Sequence, residues 1–320
     1  MDGVLDRPEL ALLVAAFAVA GGFTVTVFAS RRAVASAVQI AAGTRIPPFV
    51  IGITLLSIGT DLPEIANSII ASVSGHGDVN VGDSVGSAAT QTTLVLGLLP
   101  ILGGAFVCGR KRITTIGAAT VGALVFGAFL MADGTLSRAD ALLLIAAWLA
   151  GSALAWLKLP RSGEPALPVA ATLRPRQFGM LAGALGVVIL GASSAVWGLT
   201  RIAEVLSTPE YLIAFFVASI GTSLPELGVG LSAIRQGQHD LAIGDALGSS
   251  FADSTLSIAA GPLIAPIAVS TRLVVTGSLA AAAVIAVVVA LLSIRRRHDW
   301  MSGGVLILLY VGFYLLWLVA

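Results

Sequence analysis

GTDLPE occupies residues 59–64, and GTSLPE recurs at residues 221–226. Both stretches lie in segments apolar enough to cross a lipid bilayer, although each carries a carboxylate and a proline. Sliding the chain against itself by 162 residues aligns 49–94 with 211–256 without a gap, and 17 of these 46 positions are identical. Gly, Pro, Glu and Asp fall in register along with the common apolar residues, so the sequence predicts a duplicated unit.

The composition is that of an integral membrane protein. The chain has 320 residues, 57% hydrophobic and 11% charged, with a mean hydropathy of +0.98, whereas soluble domains carry about 25% charged residues. The strand alternation of a membrane barrel is absent, so we expect an all-α membrane protein. Apolar runs of near-spanning length predict ten transmembrane helices, at about 8–30, 35–73, 79–104, 113–132, 136–157, 177–200, 208–234, 241–266, 273–294 and 301–319.

The duplication predicts two inverted five-helix repeats, because an odd number of spans makes the second copy enter the membrane from the opposite side. We place the first repeat at 1–157, with its motif at 49–94, and the second at 177–320, with its motif at 211–256. The four prolines of residues 158–176 mark a linker on the inner side. Inverted repeats with helices interrupted at the midplane are a recurrent construction of secondary transporters.

The basic residues predict the orientation. With the N-terminus outside, thirteen Lys and Arg residues fall in inner loops and four in outer loops, while Arg45 lies at a helix entrance. Both termini are therefore expected outside, in a plasma or inner membrane, and the acidic N-terminus argues against a cleaved signal peptide. The dispersed charge predicts no nucleic-acid partner. Cys108 is the single cysteine, which excludes an internal disulfide; we interpret it as a packing residue.

Six acidic residues fall inside the repeated spans: Asp61, Glu64, Asp83, Glu226, Asp245 and Asp253. Each costs on the order of 3 kcal/mol at a helix centre, so we expect them to face one another around cations. Helical spacing places Asp61 and Glu64 on one face and aligns Asp83, Ser87 and Gln91 as a polar stripe. The second copy repeats both patterns, with Ser223 and Glu226 on one face and Asp245, Ser249 and Asp253 in the stripe.

Pro63 and Pro225 are expected to open the helix beside the glutamates. A proline removes one amide donor and displaces the carbonyl four residues earlier, here that of Gly59 or Gly221, which frees nearby carbonyl oxygens as ligands. Carboxylate, hydroxyl, amide and carbonyl oxygens together are the ligands that Ca²⁺ prefers. Histidine and thiolate are missing from the stripes, which argues against zinc or copper.

Other residues of the repeats have a structural interpretation. We expect close helix packing at one set of glycines, helix capping at two aspartates, and solvation at the histidines near span ends. These are Gly82, Gly86, Gly244 and Gly248; Asp78 and Asp240; and His76, His239 and His298.

The motifs GTDLPEIANSIIAS with VGDSVGSAATQTTLVLG, and GTSLPELGVGLSA with IGDALGSSFADSTLSIA, resemble the two alpha repeats of the sodium/calcium exchanger family, within the cation/calcium antiporter superfamily. The close likeness covers about 90 residues. It implies antiport of Ca²⁺ against Na⁺, with ion sites at the centre and the first and sixth spans sliding over the binding core. The absence of a large inner loop suggests a minimal prokaryotic-type exchanger.

Carried over by motif position, Glu64 and Glu226 resemble the paired glutamates that bind Ca²⁺ and the flanking sodium ions. The resemblance implies further ligands at Thr60, Thr222, Ser223, Ser87, Ser249 and Asp253, and at the carbonyls of Ser57 and Ser219. The departures are Asp61 in place of a common serine, Gln91 in place of a common asparagine, and aspartate at Asp83 and Asp245, where the family usually has asparagine.

This extra acidity leaves the coupling ion open between Na⁺ and H⁺. The H⁺-coupled exchanger is therefore our alternative function, because carboxyls that lose water can hold protons. A passive cation channel and an intramembrane aspartyl protease are alternatives from other classes. The protease signature GxGD is missing, since Asn80 and Ala242 occupy its first position. We expect no enzyme and no cofactor; Ca²⁺, Na⁺ or H⁺, and the lipid bilayer are the expected partners. The oligomeric state, stoichiometry, K⁺ involvement and direction stay open.

Overall fold

The structure is a computed structural model that describes residues 8–44, 46–158, 175–205, 218–295 and 297–319. Nearly all of these residues are helical. Most of the predicted linker 158–176 and the start of the second motif, 211–217, lie outside the described residues. The predicted bounds of the two repeats therefore stay predictions.

The described part of the first half forms eight α-helices, two π-helical segments, a short 3₁₀ turn and two short strands. In order these are α1 (Pro8–Thr44), α2 (Pro48–Ile51), π1 (Gly52–Leu56), α3 (Ser57–Thr60), α4 (Leu62–Val73), α5 (Gly77–Thr90), π2 (Gln91–Val95), α6 (Leu96–Gly103), β1 (Phe106–Val107), α7 (Arg110–Leu130), the 3₁₀ turn (Met131–Asp133), β2 (Thr135–Leu136) and α8 (Arg138–Lys158).

The described part of the second half repeats this order. It contains α9 (Pro175–Val205), α10 (Ser219–Thr222), α11 (Leu224–Arg235), α12 (His239–Ala252), π3 (Asp253–Ser257), α13 (Ile258–Ile264), β3 (Ile267–Ala268), α14 (Thr271–Arg295), β4 (Arg297–His298) and α15 (Trp300–Val319). The four strands were not expected in an all-α protein, and each is two residues long.

Five described helices are long and apolar enough to cross a membrane. A sixth candidate is the pair Pro48–Thr60 and Leu62–Val73, which bends by 45° at the break between them. Pro175–Gly191 and Trp300–Leu315 are shorter apolar helices. The count of ten spans therefore remains a prediction, whereas the helical class and the interrupted helices are observed.

The first helix is longer than the sequence predicted. We expected a span at 8–30 followed by a second beginning near 35, but α1 continues to Thr44. Arg31 and Arg32 do not end it, because charged residues are compatible with helical geometry. Pro47 and Pro48, which cannot continue a helix from the preceding turn, lie at the actual boundary.

The two halves interlock around the motif helices, where glycines allow backbone contact. A Cβ added at Gly52 would lie 2.7 Å from the Leu241 carbonyl oxygen, and one at Gly244 would lie 2.5 Å from that of Phe49. A Cβ at Gly248 would come within 2.5 Å of Ile53 Cα. The packing role predicted for Gly244 and Gly248 is therefore confirmed, and it holds α12 against the α2–π1 segment of the other half.

Two small antiparallel ribbons join the halves. Phe106 of β1 pairs with His298 of β4, and Thr135 of β2 pairs with Ala268 of β3. Near the first ribbon, Arg112 at the start of α7 forms an ion pair with Asp240 at the start of α12. Asp240 and Asp78 both lie at helix entrances as expected, but the N-cap residues are Gln238 and His76, so the predicted capping role is wrong for both. The carboxylate of Asp78 accepts hydrogen bonds from the amide and hydroxyl of Ser270, at 2.7 and 2.5 Å.

Candidate cation site

The helices that carry GTDLPE and GTSLPE, called the signature helices below, break at equivalent residues in the two halves. Asp61 has φ −78° and ψ 2°, and Ser223 has φ −79° and ψ 4°, and each separates two helices that run on either side of it. Pro63 and Pro225 lie in the first turn of the following helix, where no amide donor is needed. The predicted interruption is therefore observed, but it falls at Asp61 and Ser223, two residues before each proline.

The division places both glutamates at helix N-termini. Glu64 and Glu226 lie in the first turns of α4 and α11, and neither side chain is exposed. The unpaired amides and the dipole of a helix N-terminus favour negative charge there. The local backbone thus stabilises a carboxylate that the surrounding apolar helices would disfavour.

Each signature helix faces the polar stripe of the other half. The Thr60 hydroxyl lies 3.2 Å from the Ser249 hydroxyl and 3.5 Å from Asp245 Oδ1. The opposite half repeats the arrangement, because the Thr222 hydroxyl lies 3.0 Å from that of Ser87 and 3.4 Å from Asp83 Oδ1. The predicted convergence of two faces and two stripes is thus observed, and it occurs between the copies.

The ends of the two stripes meet directly. Gln91 Nε2 donates to Asp253 Oδ2 at 2.9 Å, and these residues are repeat equivalents, each the first residue of a π-helical segment. Ser257 donates to the other oxygen of Asp253 at 2.9 Å. A π-turn widens the helix and changes the direction of its side chains, and such turns are frequent at functional sites.

Ser57 and Ser219 lie one turn before the breaks and are fully buried. Their carbonyl oxygens accept the amides of Asp61 and Ser223 at 2.9 and 3.2 Å. The Ser57 carbonyl also accepts the Thr60 hydroxyl at 3.1 Å, so a cation contact there would replace that bond, because a carbonyl oxygen has two lone pairs. Their ligand role stays a prediction.

The six acidic residues predicted at the site are all buried, with at most 1% of each side chain exposed. Glu64, Glu226 and Asp61 make no hydrogen bond of good geometry through either carboxylate oxygen within the described residues, although Thr60 lies near the Glu226 carboxylate and Ser249 near that of Asp61. The same is true of Asp245 Oδ2, Gln91 Oε1 and Ser223 Oγ. The described ion pairs involve Asp240 and Asp299, not these acids.

The unpartnered carboxylates are close enough to repel one another. Asp61 and Glu64 both interact electrostatically with Asp253 and Glu226. Native proteins rarely leave several buried carboxylate oxygens without donors, because desolvation is costly. A bound cation would supply the missing partner. No group of three His, Cys, Asp or Glu side chains in the described ranges is arranged to hold a metal ion in this structure. An ion shared by Glu64, Glu226 and Asp253 would need these carboxylates to move closer together, with hydroxyl, amide and carbonyl oxygens completing the shell.

The comparisons with known proteins agree with this geometry. The family model for the sodium/calcium exchanger protein matches residues 14–157 and 176–319, which is most of the chain and falls in two parts. The chain belongs to the sodium/calcium exchanger family.

Individual exchangers and related proteins cover nearly the whole chain. CaxA of Alkalimonas amylolytica is 31% identical over 95% of this chain and 99% of its own length. The sodium/calcium exchanger MaX1 of Methanosarcina acetivorans is 25% identical over 88% of this chain and 91% of its own. A solved structure of the sodium-calcium exchanger NCX_Mj matches with a TM-score of 0.73 and 25% identity, covering 93% of this chain and 96% of that one.

The two copies also differ in how the equivalent aspartates Asp83 and Asp245 are held. Asn67 Nδ2 donates to Asp83 Oδ2 at 2.6 Å, whereas the repeat-equivalent oxygen of Asp245 has no hydrogen-bond partner among the described residues. Val229 occupies the position equivalent to Asn67 and has no donor. Asp83 is therefore held by protein groups on both oxygens, while Asp245 keeps one oxygen available to the site.

Sequence reasoning missed four residues that support the site. They are Asn67, Ser257, Thr90 and Tyr314. The Tyr314 hydroxyl lies 3.0 Å from the Thr90 hydroxyl and 3.5 Å from that of Ser219. Asn67 could have been found, because it lies three residues after Glu64 on the same helical face. Tyr314 could not, since its helix has no repeat motif to place it beside the site.

Proposed function

We propose that this chain is a secondary active antiporter that moves Ca²⁺ across the membrane in exchange for Na⁺ by alternating access. The family is shown, and the observation that carries the proposal is the pair of buried glutamates, Glu64 and Glu226, whose oxygens have no donor in good hydrogen-bond geometry among the described residues. Ca²⁺ binds oxygen donors of this kind in a flexible shell. As family members are exchangers, no enzymatic activity is assigned.

The shared ligands explain why the transport would be an exchange. In the proposed cycle Glu64, Glu226 and Asp253 coordinate Ca²⁺ in one state and Na⁺ in the other. Both cargoes need the same few oxygens, so they cannot be bound together. Thr60, Thr222, Ser87, Ser249 and Ser223 would complete the shells, together with the carbonyls of Ser57 and Ser219.

We assign the finer architecture as ten spans in two inverted five-helix repeats, 1–157 and 177–320, with the linker 158–176 and both termini outside a plasma or inner membrane. The ribbons support the inversion. β1 connects the third and fourth predicted spans of its copy, and it pairs with β4, which connects the fourth and fifth spans of the other copy. Copies inserted in the same sense would bring equivalent connections together instead.

The pairing of α1 with α9 supports the proposed sliding motion. A Cβ at Gly191 would lie 2.7 Å from the Gly22 carbonyl oxygen, so these two helices pack closely as a unit. The described hydrogen bonds to the motif helices come from Ser30, which donates to the Gly228 carbonyl at 2.9 Å and lies 2.8 Å from the Ser232 hydroxyl.

H⁺ coupling is the second candidate, and Asp61 and Asp245 favour it. Both have a buried carboxylate oxygen with no hydrogen-bond partner in the described residues. Such a group is neutralised either by a cation or by a proton. A cation bound by these aspartates would support Na⁺ coupling, whereas protons held by them would support H⁺ coupling.

Purified protein in liposomes with ⁴⁵Ca²⁺ inside or outside tests the proposal. We expect Ca²⁺ movement to require an opposing Na⁺ gradient and to be lost in Glu64→Gln and Glu226→Gln. Glu9→Gln, at an exposed glutamate in the first turn of α1, is the matched control and should transport normally. Movement driven by a pH gradient without Na⁺ would establish the alternative. Ca²⁺ flux with no counter-ion at all would indicate a channel and contradict both.

A further inference from the structure

Two prolines that follow the ion-site helices occupy equivalent positions in the two copies. Pro100 lies inside α6 and Pro262 inside α13, and they are 162 residues apart. A proline has no amide hydrogen, so the carbonyl four residues earlier loses its helical donor. The carbonyls affected are those of Leu96 and Ile258, each of which directly follows a π-helical segment that begins with an ion-site residue, Gln91 or Asp253.

Both carbonyls are bound by a buried side chain from the other copy. His298 Nε2 lies 2.7 Å from the Leu96 oxygen, and Asn80 Nδ2 donates to the Ile258 oxygen at 3.2 Å. His298 is fully buried and Asn80 is 1% exposed. The solvated position predicted for His298 at a span end is therefore wrong.

The surroundings of His298 determine the tautomer that makes this bond. Its Nδ1 lies 2.7 Å from the Ser302 hydroxyl, which can donate to it, while Nε2–H donates to the carbonyl. The Phe106 ring contacts the imidazole edge to face, with centroids 5.2 Å apart. Burial lowers the pKa of His298, which lies outside the spans, so the neutral ring is favoured.

The glycines near Pro100 allow this approach. A Cβ at Gly97 would lie 2.9 Å from the Gly303 carbonyl oxygen, and one at Gly303 would lie 2.9 Å from Pro100 Cγ. The start of α15 is thus pressed against the turn that contains the Leu96 carbonyl, which fixes the distance between that turn and His298.

We propose that His298 and Asn80 are positioning residues for ion binding: each donates to the carbonyl that a proline has left without a donor and thereby fixes the π-turn that carries Gln91 or Asp253. The inference rests on the proposed function, because the ion-binding effect concerns the same site. Each donor supports a segment of the other copy: His298 of the second copy supports π2, and Asn80 of the first copy supports π3. Loss of groups that orient metal ligands typically costs 10- to 100-fold in affinity.

Restoring the missing amide provides a specific test. His298→Leu and Asn80→Leu remove the donors, and each should raise the half-saturating Ca²⁺ concentration on the order of tenfold while changing the maximal rate less. His298→Gln keeps an amide donor and should remain near wild type. Pro100→Ala supplies a helical N–H to the Leu96 carbonyl, so it should repair His298→Leu but not Asn80→Leu. Pro262→Ala should repair Asn80→Leu and leave His298→Leu unrepaired.

The melting temperature of the same variants in detergent gives a second readout that needs no transport. It should show the same pairing of repairs. Equal effects of the two proline variants on both donors would overturn the carbonyl assignment. A lower melting temperature with an unchanged half-saturating Ca²⁺ concentration would overturn the positioning role. If wild-type protein moved no Ca²⁺, the proposed function would fail, while the melting temperatures would still decide whether the carbonyls are captured.

Discussion

At the scale of single residues, the site is a set of buried charges with too few donors. Glu64 and Glu226 are unexposed, lie in the first turns of α4 and α11 and face other carboxylates, yet their oxygens make no hydrogen bond of good geometry within the described residues. A helix N-terminus offsets only part of the desolvation of a carboxylate. The remaining cost is what makes binding of a cation favourable, so stability and ion affinity are linked at these two residues.

Neutralising either glutamate should therefore separate stability from function. Glu64→Gln and Glu226→Gln should raise the melting temperature in ion-free detergent, because they remove repulsion among buried carboxylates. They should also lower Ca²⁺ transport at least about a hundredfold and abolish the melting-temperature increase that Ca²⁺ gives the wild type. Differential scanning fluorimetry with and without Ca²⁺ measures both. A lower melting temperature without ions would show that the carboxylates are stabilised by the protein itself.

Cys108, which lies outside the predicted membrane spans, is expected to react slowly with maleimides. Burial is the main cause that raises its pKa to about 12, with Asp240 adding to the effect. At pH 7 to 8 the thiolate that reacts with maleimides is therefore scarce. Native protein should stay unlabelled for hours, and protein unfolded in detergent should label at one site. Rapid labelling of the folded protein would contradict the packing role assigned to this residue.

At the scale of elements, each signature helix is divided in two, and the break places the carboxylates of Glu64 and Glu226 at helix N-termini. The sequence predicted this interruption because Pro, Gly and Thr recur beside glutamate in both copies. Its detail was different, since the break falls at Asp61 and Pro63 lies in the first turn of the next helix, α4. The π-helical segments were not predictable, because nothing in the spacing of Asp83, Ser87 and Gln91 distinguishes an α-turn from a π-turn. The burial of His298 was likewise not predictable, because its imidazole binds the Leu96 carbonyl, which is 202 residues away in the chain.

The contact between α12 and the α2–π1 segment depends on glycine. Gly244→Ala should destabilise the protein by about 2 kcal/mol or more, because the new methyl group would overlap the backbone of Phe49 and Gly52. Gly122→Ala is the matched control: it lies in α7 with nothing within 4 Å, and alanine there should be neutral or stabilising by up to about 1 kcal/mol. Melting temperatures of the two variants test this difference. Equal shifts would mean that the helices do not approach as closely as described.

At the scale of the whole molecule, the proposed cation site requires two copies inserted in opposite senses. Ser74 and Gln236 are repeat equivalents in exposed turns after the signature helices. A membrane-impermeant maleimide should label Ser74→Cys in intact cells, whereas Gln236→Cys should label only after the membrane is opened. The buried Cys108 would be replaced by alanine in both variants. Labelling of both positions from the same side would refute the inversion.

The inversion stays a prediction from the sequence, because it follows from counting five spans per copy, and the labelling experiment tests it. The crosswise pairing of Thr60 with Ser249 and of Thr222 with Ser87 was predicted only as convergence, since periodicity orients a face but does not choose its partner. The asymmetry between Asp83 and Asp245 depended on Asn67, which the repeat alignment pairs with an apolar residue.

The most direct test of a cation site formed jointly by the two copies is the position of a bound divalent cation. Crystals of the protein soaked in Sr²⁺, measured at a wavelength where strontium scatters anomalously, should show a peak between the carboxylates of Glu64 and Glu226. The peak should lie within about 2.3 to 2.6 Å of oxygen atoms, or slightly farther for the larger ion, and it should disappear in Glu226→Gln. A peak bound by only one copy, or carboxylates of Glu64 and Glu226 that share no ion, would contradict the account.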